Sequence, residues 1–220
     1  MSKLRKYGTC FFEQYAQITL SALLGHEFDS LVNLDRPDLQ TPDSPAIGIE
    51  VTRAMEESKN AATQMLKDIS GISLTREDDG DLERIQDSGY AWGLQGGRYI
   101  GANELEYWSL ALPLRRIIES KVAKVGNGFY GQFNKMGLYV FCKDMLSEGE
   151  VLKTCHYTRG LQKYLDIKYN RLYLSEAGSL YVCNLDDGLS ESSRIMRIPI
   201  SREQRKDFYL DAVSRQIEKN

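Results

Sequence analysis

The chain has 220 residues, 42% of them hydrophobic and 27% charged, with a net charge of −3 and a pI near 5.6. That is enough apolar material for one domain, residues 1–220, with a sizeable core, and the acidic balance argues against a protein that coats nucleic acid along its length. No apolar run approaches the ~18 residues of a membrane span and no apolar signal segment opens the chain, so a cytoplasmic protein with no membrane partner is expected.

Residues 3–24 repeat apolar side chains at helical spacing. The main row is Leu4, Tyr7, Phe11, Tyr15, Ile18 and Ala22, and Glu13 shares a second row with Ala16, Leu20 and Leu24, which predicts a helix buried on two flanks. Extended segments are expected at 27–34, 38–40 and 46–52. Pro37 cannot donate to a ladder and biases Arg36 toward extended backbone, so Asp38 is expected on extended chain leaving a turn. In the third segment Ile47, Ile49 and Val51 take one face and Gly48, Glu50 and Thr52 the other. A residue as small as Gly48 beside a carboxylate should leave room for a ligand.

A helix is expected over 55–69, and residues 71–111 read as an insertion, acidic and glycine-punctuated at 77–87 and aromatic-rich beyond it. The next helix, 112–125, has an apolar arc of Leu114, Ile117, Ile118, Val122 and Val125. Lys121 falls inside that arc, away from Arg116 and Lys124, and must either reach water along its stem or meet an acid. The apolar run 137–142 suits a buried central strand. A helix over 149–165, strands at 171–174, 179–184 and 194–200, and a closing helix over 202–217 capped by Ser201 complete the chain.

Several chemistries lack support. Gly126, Gly128 and Gly131 spell GxGxxG, but between a helix and a strand, the reverse of the order that cradles a pyrophosphate, so a helix stop and loop is expected. Cys10, Cys142, Cys155 and Cys183 show no paired spacing and read as reduced packing residues, while two histidines, His26 and His156, exclude a histidine-rich metal site. There is no P-loop, GxSxG elbow or HExxH.

The remaining chemistry lies in the acids. Asp38 after a proline and Glu50 on the next strand can bring two carboxylates together around a hard divalent ion. Glu13 in a first helix, then Pro37-Asp38, then Glu50-Val51-Thr52 on a strand, resembles the PD-(D/E)XK nuclease superfamily over about the first 55 residues and in patches to Phe141. The resemblance implies an α/β (α+β) fold with a restriction-endonuclease-like αβββαβ core, a central mixed sheet flanked by helices, and a C-terminal α/β extension from about residue 144 to 220. It also implies Mg²⁺ or Mn²⁺ held by Asp38, Glu50 and the Val51 carbonyl, with Glu13 as an outer ligand, and phosphodiester hydrolysis in nucleic acid, DNA ahead of RNA.

Thr52 departs from the pattern, which has lysine there, and a hydroxyl cannot supply an ammonium's charge. Lys121 is the candidate replacement, with Lys59 a weaker one. Between residues 113 and 135, Arg115, Arg116, Lys121, Lys124 and Lys135 face the single acid Glu119, a patch that could meet a phosphate backbone. The alternative is a catalytically degenerate member of the same fold that binds nucleic acid or a protein, and a third reading leaves Asp38 and Glu50 merely exposed. Convergence of the two carboxylates separates the third from the others.

Overall fold

The computed structural model describes residues 7–42, 46–54, 111–142, 145–186, 188 and 194–217. The expected helix over 55–69 with Lys59, and residues 71–110 of the expected insertion, lie outside the described residues. In chain order the elements are α1 (Tyr7–Leu24), a 3₁₀ turn (His26–Phe28), β1 (Val32–Asn33), β2 (Leu39–Gln40), β3 (Ile47–Ala54), α2 (Ala111–Gly126), β4 (Lys135–Cys142), α3 (Glu148–Leu161), β5 (Arg171–Ser175), β6 (Ser179–Asn184), β7 (Ile195–Pro199) and α4 (Arg202–Ile217).

The seven strands form one mixed sheet in sequential order. β3, β4 and β5 are parallel at its centre, and antiparallel pairs β1–β2 and β6–β7 extend it on either side. β4 is buried at seven of its eight positions, as its continuous apolar run requires of a strand covered on both faces. Alternation along β4 divides the interior in two. Tyr139 and Phe141 pack against α1 and α4, and Leu138, Val140 and Cys142 pack against α2 and α3. At Gly137 a Cβ would sit 2.6 Å from Ile49 Cδ1 and 2.9 Å from Tyr173 Cε2. The glycine lets side chains of the flanking strands meet across β4.

α1 is buried on more than one flank, as its two apolar rows imply, though Ala22 is exposed. Its buried Thr19 hydroxyl donates to the Tyr15 carbonyl at 2.8 Å, a local bond that satisfies a polar group among aromatic neighbours. Cys142, Cys155 and Cys183 are buried, reduced cysteines. α3 begins at a capping box: the Ser147 hydroxyl accepts from Glu150 N while the Glu150 carboxylate accepts from Ser147 N. α4 begins the same way with Ser201 and Gln204, the amide three residues on closing the box.

Several boundaries differ from expectation. The segment 27–34 contains only a two-residue strand, because Phe28 turns inward as an anchor within a 3₁₀ turn whose other residues, His26 and Glu27, are exposed. α3 stops at Leu161 rather than 165, where the Gln162 amide leaves the helix to bond Tyr169, donating to its carbonyl at 2.8 Å and accepting from its N–H at 3.1 Å. β3 runs two residues further than expected, to Ala54, carried by its pairing with Cys142 on β4. The GxGxxG segment is a helix stop, with Gly128 and Gly131 at φ of 71° and 82°. Among the described residues no helix is long and apolar enough to cross a membrane.

Candidate functional site

Strand register brings the two predicted acids together. β2 pairs β3 with Leu39 opposite Ile49 and Gln40 opposite Gly48, so the next residue outward, Asp38, falls beside Glu50 where β2 ends. The turn before Asp38 is held by Leu34 N–H donating to the Asp38 carbonyl at 2.8 Å and by the Gln40 amide donating to the Pro37 carbonyl at 3.0 Å. The Arg36–Pro37 peptide bond is cis. With no strand residue beyond Leu39 to pair it, Val51 N–H donates instead to Asp38 Oδ2 at 2.7 Å. A strand residue's N–H and C=O point the same way, so the Val51 carbonyl faces this same edge.

Glu50 projects from the opposite face to Ile49, toward α2, and is buried. Lys121 on α2 forms an ion pair with Glu50 Oε1. Its side chain is 17% exposed and that of Glu50 8%, so the lysine meets an acid and does not snorkel to water. Thr52 shares the Glu50 face and offers no ammonium.

Two tyrosines complete the surroundings. The Tyr130 hydroxyl is buried beside Glu50 and Tyr169, near both but without good hydrogen-bond geometry to either. Burial first, then the Glu50 carboxylate, pushes its phenol well above the ordinary range. The Tyr169 hydroxyl donates to the Lys121 carbonyl at 3.4 Å, and burial, then Tyr130 and Glu50, raises it likewise. Neither tyrosine stands out in the sequence. Tyr130 lies in the glycine loop after the Lys121 helix, and Tyr169 precedes a strand without any pattern.

Glu13 approaches from α1, on the other side of the sheet, and accepts a hydrogen bond from the Asn33 amide. Asp38 lies at the margin between the two faces and responds to both. Its carboxyl is pushed up to about 7, by burial first and then by Glu50, with Glu13 adding to the rise and the Val51 N–H and Lys121 opposing it. Two carboxylates ~4 Å apart repel by about 4 kcal/mol at an effective dielectric near 20, which is why such acids share protons or gather cations. Among the described residues, however, no group of three His, Cys, Asp or Glu side chains is placed to hold a metal ion.

Two expectations are corrected. The space expected beside Gly48 is filled: a Cβ there would lie 2.8 Å from the Phe133 ring and 2.9 Å from the Pro37 ring, so glycine admits packing rather than a ligand. The basic patch also divides. Lys135 pairs with Glu27 at 2.7 Å, Arg115 lies over the Tyr157 ring at 5.1 Å and Lys124 over the Phe129 ring at 5.4 Å, while Lys121 turns to Glu50. The Arg116 side chain lies outside the described residues. A cavity of about 240 Å³, lined by His156, Arg159, Lys163 and Lys168 among others, includes none of the candidate acids. Comparison with known protein families, with characterised proteins and with solved structures gave no match to this chain.

Proposed function

We propose that the chain is a metal-dependent phosphodiester hydrolase of the PD-(D/E)XK kind, with nucleic acid, DNA ahead of RNA, as substrate. The observation that carries this reading is Lys121. It comes from a separate helix to the acid that β2–β3 register sets beside Asp38, and so returns a cation to a site where Thr52 provides none. The described order of one helix, three strands, a helix and a strand agrees with the core that the reading requires.

The donor chemistry fits a hard divalent ion: Asp38, Glu50 and the Val51 carbonyl offer oxygen at one strand edge, with Glu13 behind them, and the raised Asp38 carboxyl marks negative charge that the Val51 N–H and Lys121 offset only in part. Bound Mg²⁺ or Mn²⁺ would supply a Lewis acid for a phosphoryl oxygen and lower the pKa of a coordinated water. Lys121 pairs with Glu50 and would place positive charge where the phosphorane builds up negative charge. Asp38 keeps Oδ2 on Val51 N–H, which fixes its carboxyl at the strand edge where it would hold the ion.

Nicking of plasmid or cleavage of single-stranded DNA should require Mg²⁺ or Mn²⁺ and disappear in Asp38→Ala and Glu50→Ala. Equal cleavage by the wild type and both variants would remove these acids from the chemistry. A second reading, a non-catalytic binding module of the same architecture, is favoured by the closed packing of Pro37 and Phe133 over Gly48, on the face that Glu50 shares. Its signature would be nucleic-acid or protein binding with no metal-dependent cleavage at any pH.

A further inference from the structure

Phe129 follows α2 and keeps 47% of its surface exposed, next to Tyr130, whose ring meets it edge-on at 5.2 Å. Two cations from different elements converge on its ring: Arg36, from the turn before β2, with Cζ 5.0 Å from the centroid, and Lys124, from α2, with Nζ at 5.4 Å. Each is tied to the acid site by the chain itself. Arg36 is two residues from Asp38, a reach of at most ~7 Å, Lys124 is one helical turn from Lys121, and Tyr130 lies beside Glu50.

The exposed Phe129 ring is thus bordered by two cations beside the Asp38 and Glu50 acids, in a chain of net charge −3. Cation–π contact accounts for the cations' positions but not for an aromatic left half open to water at this place. The Arg36 guanidinium also lies 3.3 Å from Asp35, but both side chains are mostly exposed, and such a pair is weak enough for a phosphate to displace.

We infer that Phe129, Arg36 and Lys124 form a platform for single-stranded nucleic acid, one base stacking on the Phe129 ring while flanking phosphates meet Arg36 and Lys124. Stacking on an aromatic face asks for an unpaired base, since a duplex buries its base faces within the helix. The platform would set a single-stranded segment, rather than intact duplex, beside Asp38 and Glu50. The inference rests on the hydrolase reading only for its purpose. The platform can bind whether or not the acids cut.

Fluorescence anisotropy of a labelled oligothymidylate with the full chain, in EDTA so that no metal-dependent cleavage occurs, tests it. A duplex of the same length serves as the comparison. Wild type should prefer the single strand. Phe129→Leu, which keeps apolar bulk and loses the π-face, should weaken single-strand binding about ten-fold, while Phe129→Tyr should bind as wild type does. Arg36→Gln and Lys124→Gln should each flatten the dependence of affinity on salt. Wild-type affinity in Phe129→Leu, equal binding of the duplex, or no single-strand binding by wild type would overturn the platform. Metal-dependent cleavage lost in Asp38→Ala, together with unaltered binding in Phe129→Leu, would remove the platform and leave the hydrolase. Phe129-dependent binding with no cleavage under any metal would do the reverse.

Discussion

The two faces of the central strands are built differently. Toward α1 and α4 the sheet presents an aromatic layer in which Phe12 meets Phe141 at 5.0 Å and Tyr139 meets Phe141 at 5.0 Å. Toward α2 and α3 the layer is largely aliphatic, with Leu138, Val140, Leu172 and Leu174 under Ile118 and Val122, and it is interrupted at the β3 margin by Glu50, Lys121, Tyr130 and Tyr169. Aromatic packing on the first face needs no explanation beyond stability. A buried charge pair on the second does, because well-packed apolar residues of similar volume would hold the fold as well or better. The contrast separates a layer that stability alone explains from a buried charge pair that it does not.

The largest effect should come from the aromatic face. Phe141→Ala removes a fully buried ring and is expected to cost about 4 kcal/mol in urea unfolding. A loss below about 1 kcal/mol would mean that this layer does not carry the fold. Next comes the charge pair. Lys121→Met strands a buried carboxylate and should cost about 3 kcal/mol, most of it recovered when Glu50→Leu is added. If the double variant is no more stable than the single one, the pair is structural after all and the contrast between faces fails.

A pH-dependent effect belongs to Asp38. Its folded pKa of about 7 stands above the ordinary 3.8, so the folded chain holds the proton more tightly than the unfolded one. Its stabilising share is therefore full below pH ~3.8 and is lost as pH rises through about 7. Asp38→Asn, neutral throughout, should show a flatter stability profile across that window in EDTA; an unchanged slope would mean that another group is responsible. The smallest effect is expected from the exposed pair of Glu27 and Lys135, where Glu27→Gln should shift stability by less than about 0.5 kcal/mol. A cost equal to that of breaking the Lys121–Glu50 pair would erase the distinction between buried and exposed ion pairs.

The part of the site visible in the sequence was the part written in periodicity. An ammonium inside the apolar arc of 112–125 has few places to go, and strand parity put Glu50 opposite Ile49 and Val51. The β2–β3 register that sets Asp38 next to Glu50 follows from a short connection between two strands. Other features depend on segments distant in sequence. Phe133 packing over Gly48, and Tyr130 and Tyr169 closing around Glu50 and Lys121, come from the assembled sheet and leave no local signal. The 3₁₀ turn in place of a longer first strand likewise reflects Phe28 finding the core, which alternation alone does not encode.

The central claim is that Asp38 and Glu50 share an oxygen site for a divalent ion, with Lys121 as its counter-cation. Titration calorimetry with Mn²⁺, comparing the wild type with Asp38→Asn, addresses it before any substrate is known, since asparagine can still accept the Val51 N–H bond that places this side chain. A stoichiometric heat in the wild type that is lost in Asp38→Asn is the predicted result. No saturable heat in the wild type, or the same heat in both proteins, would contradict it.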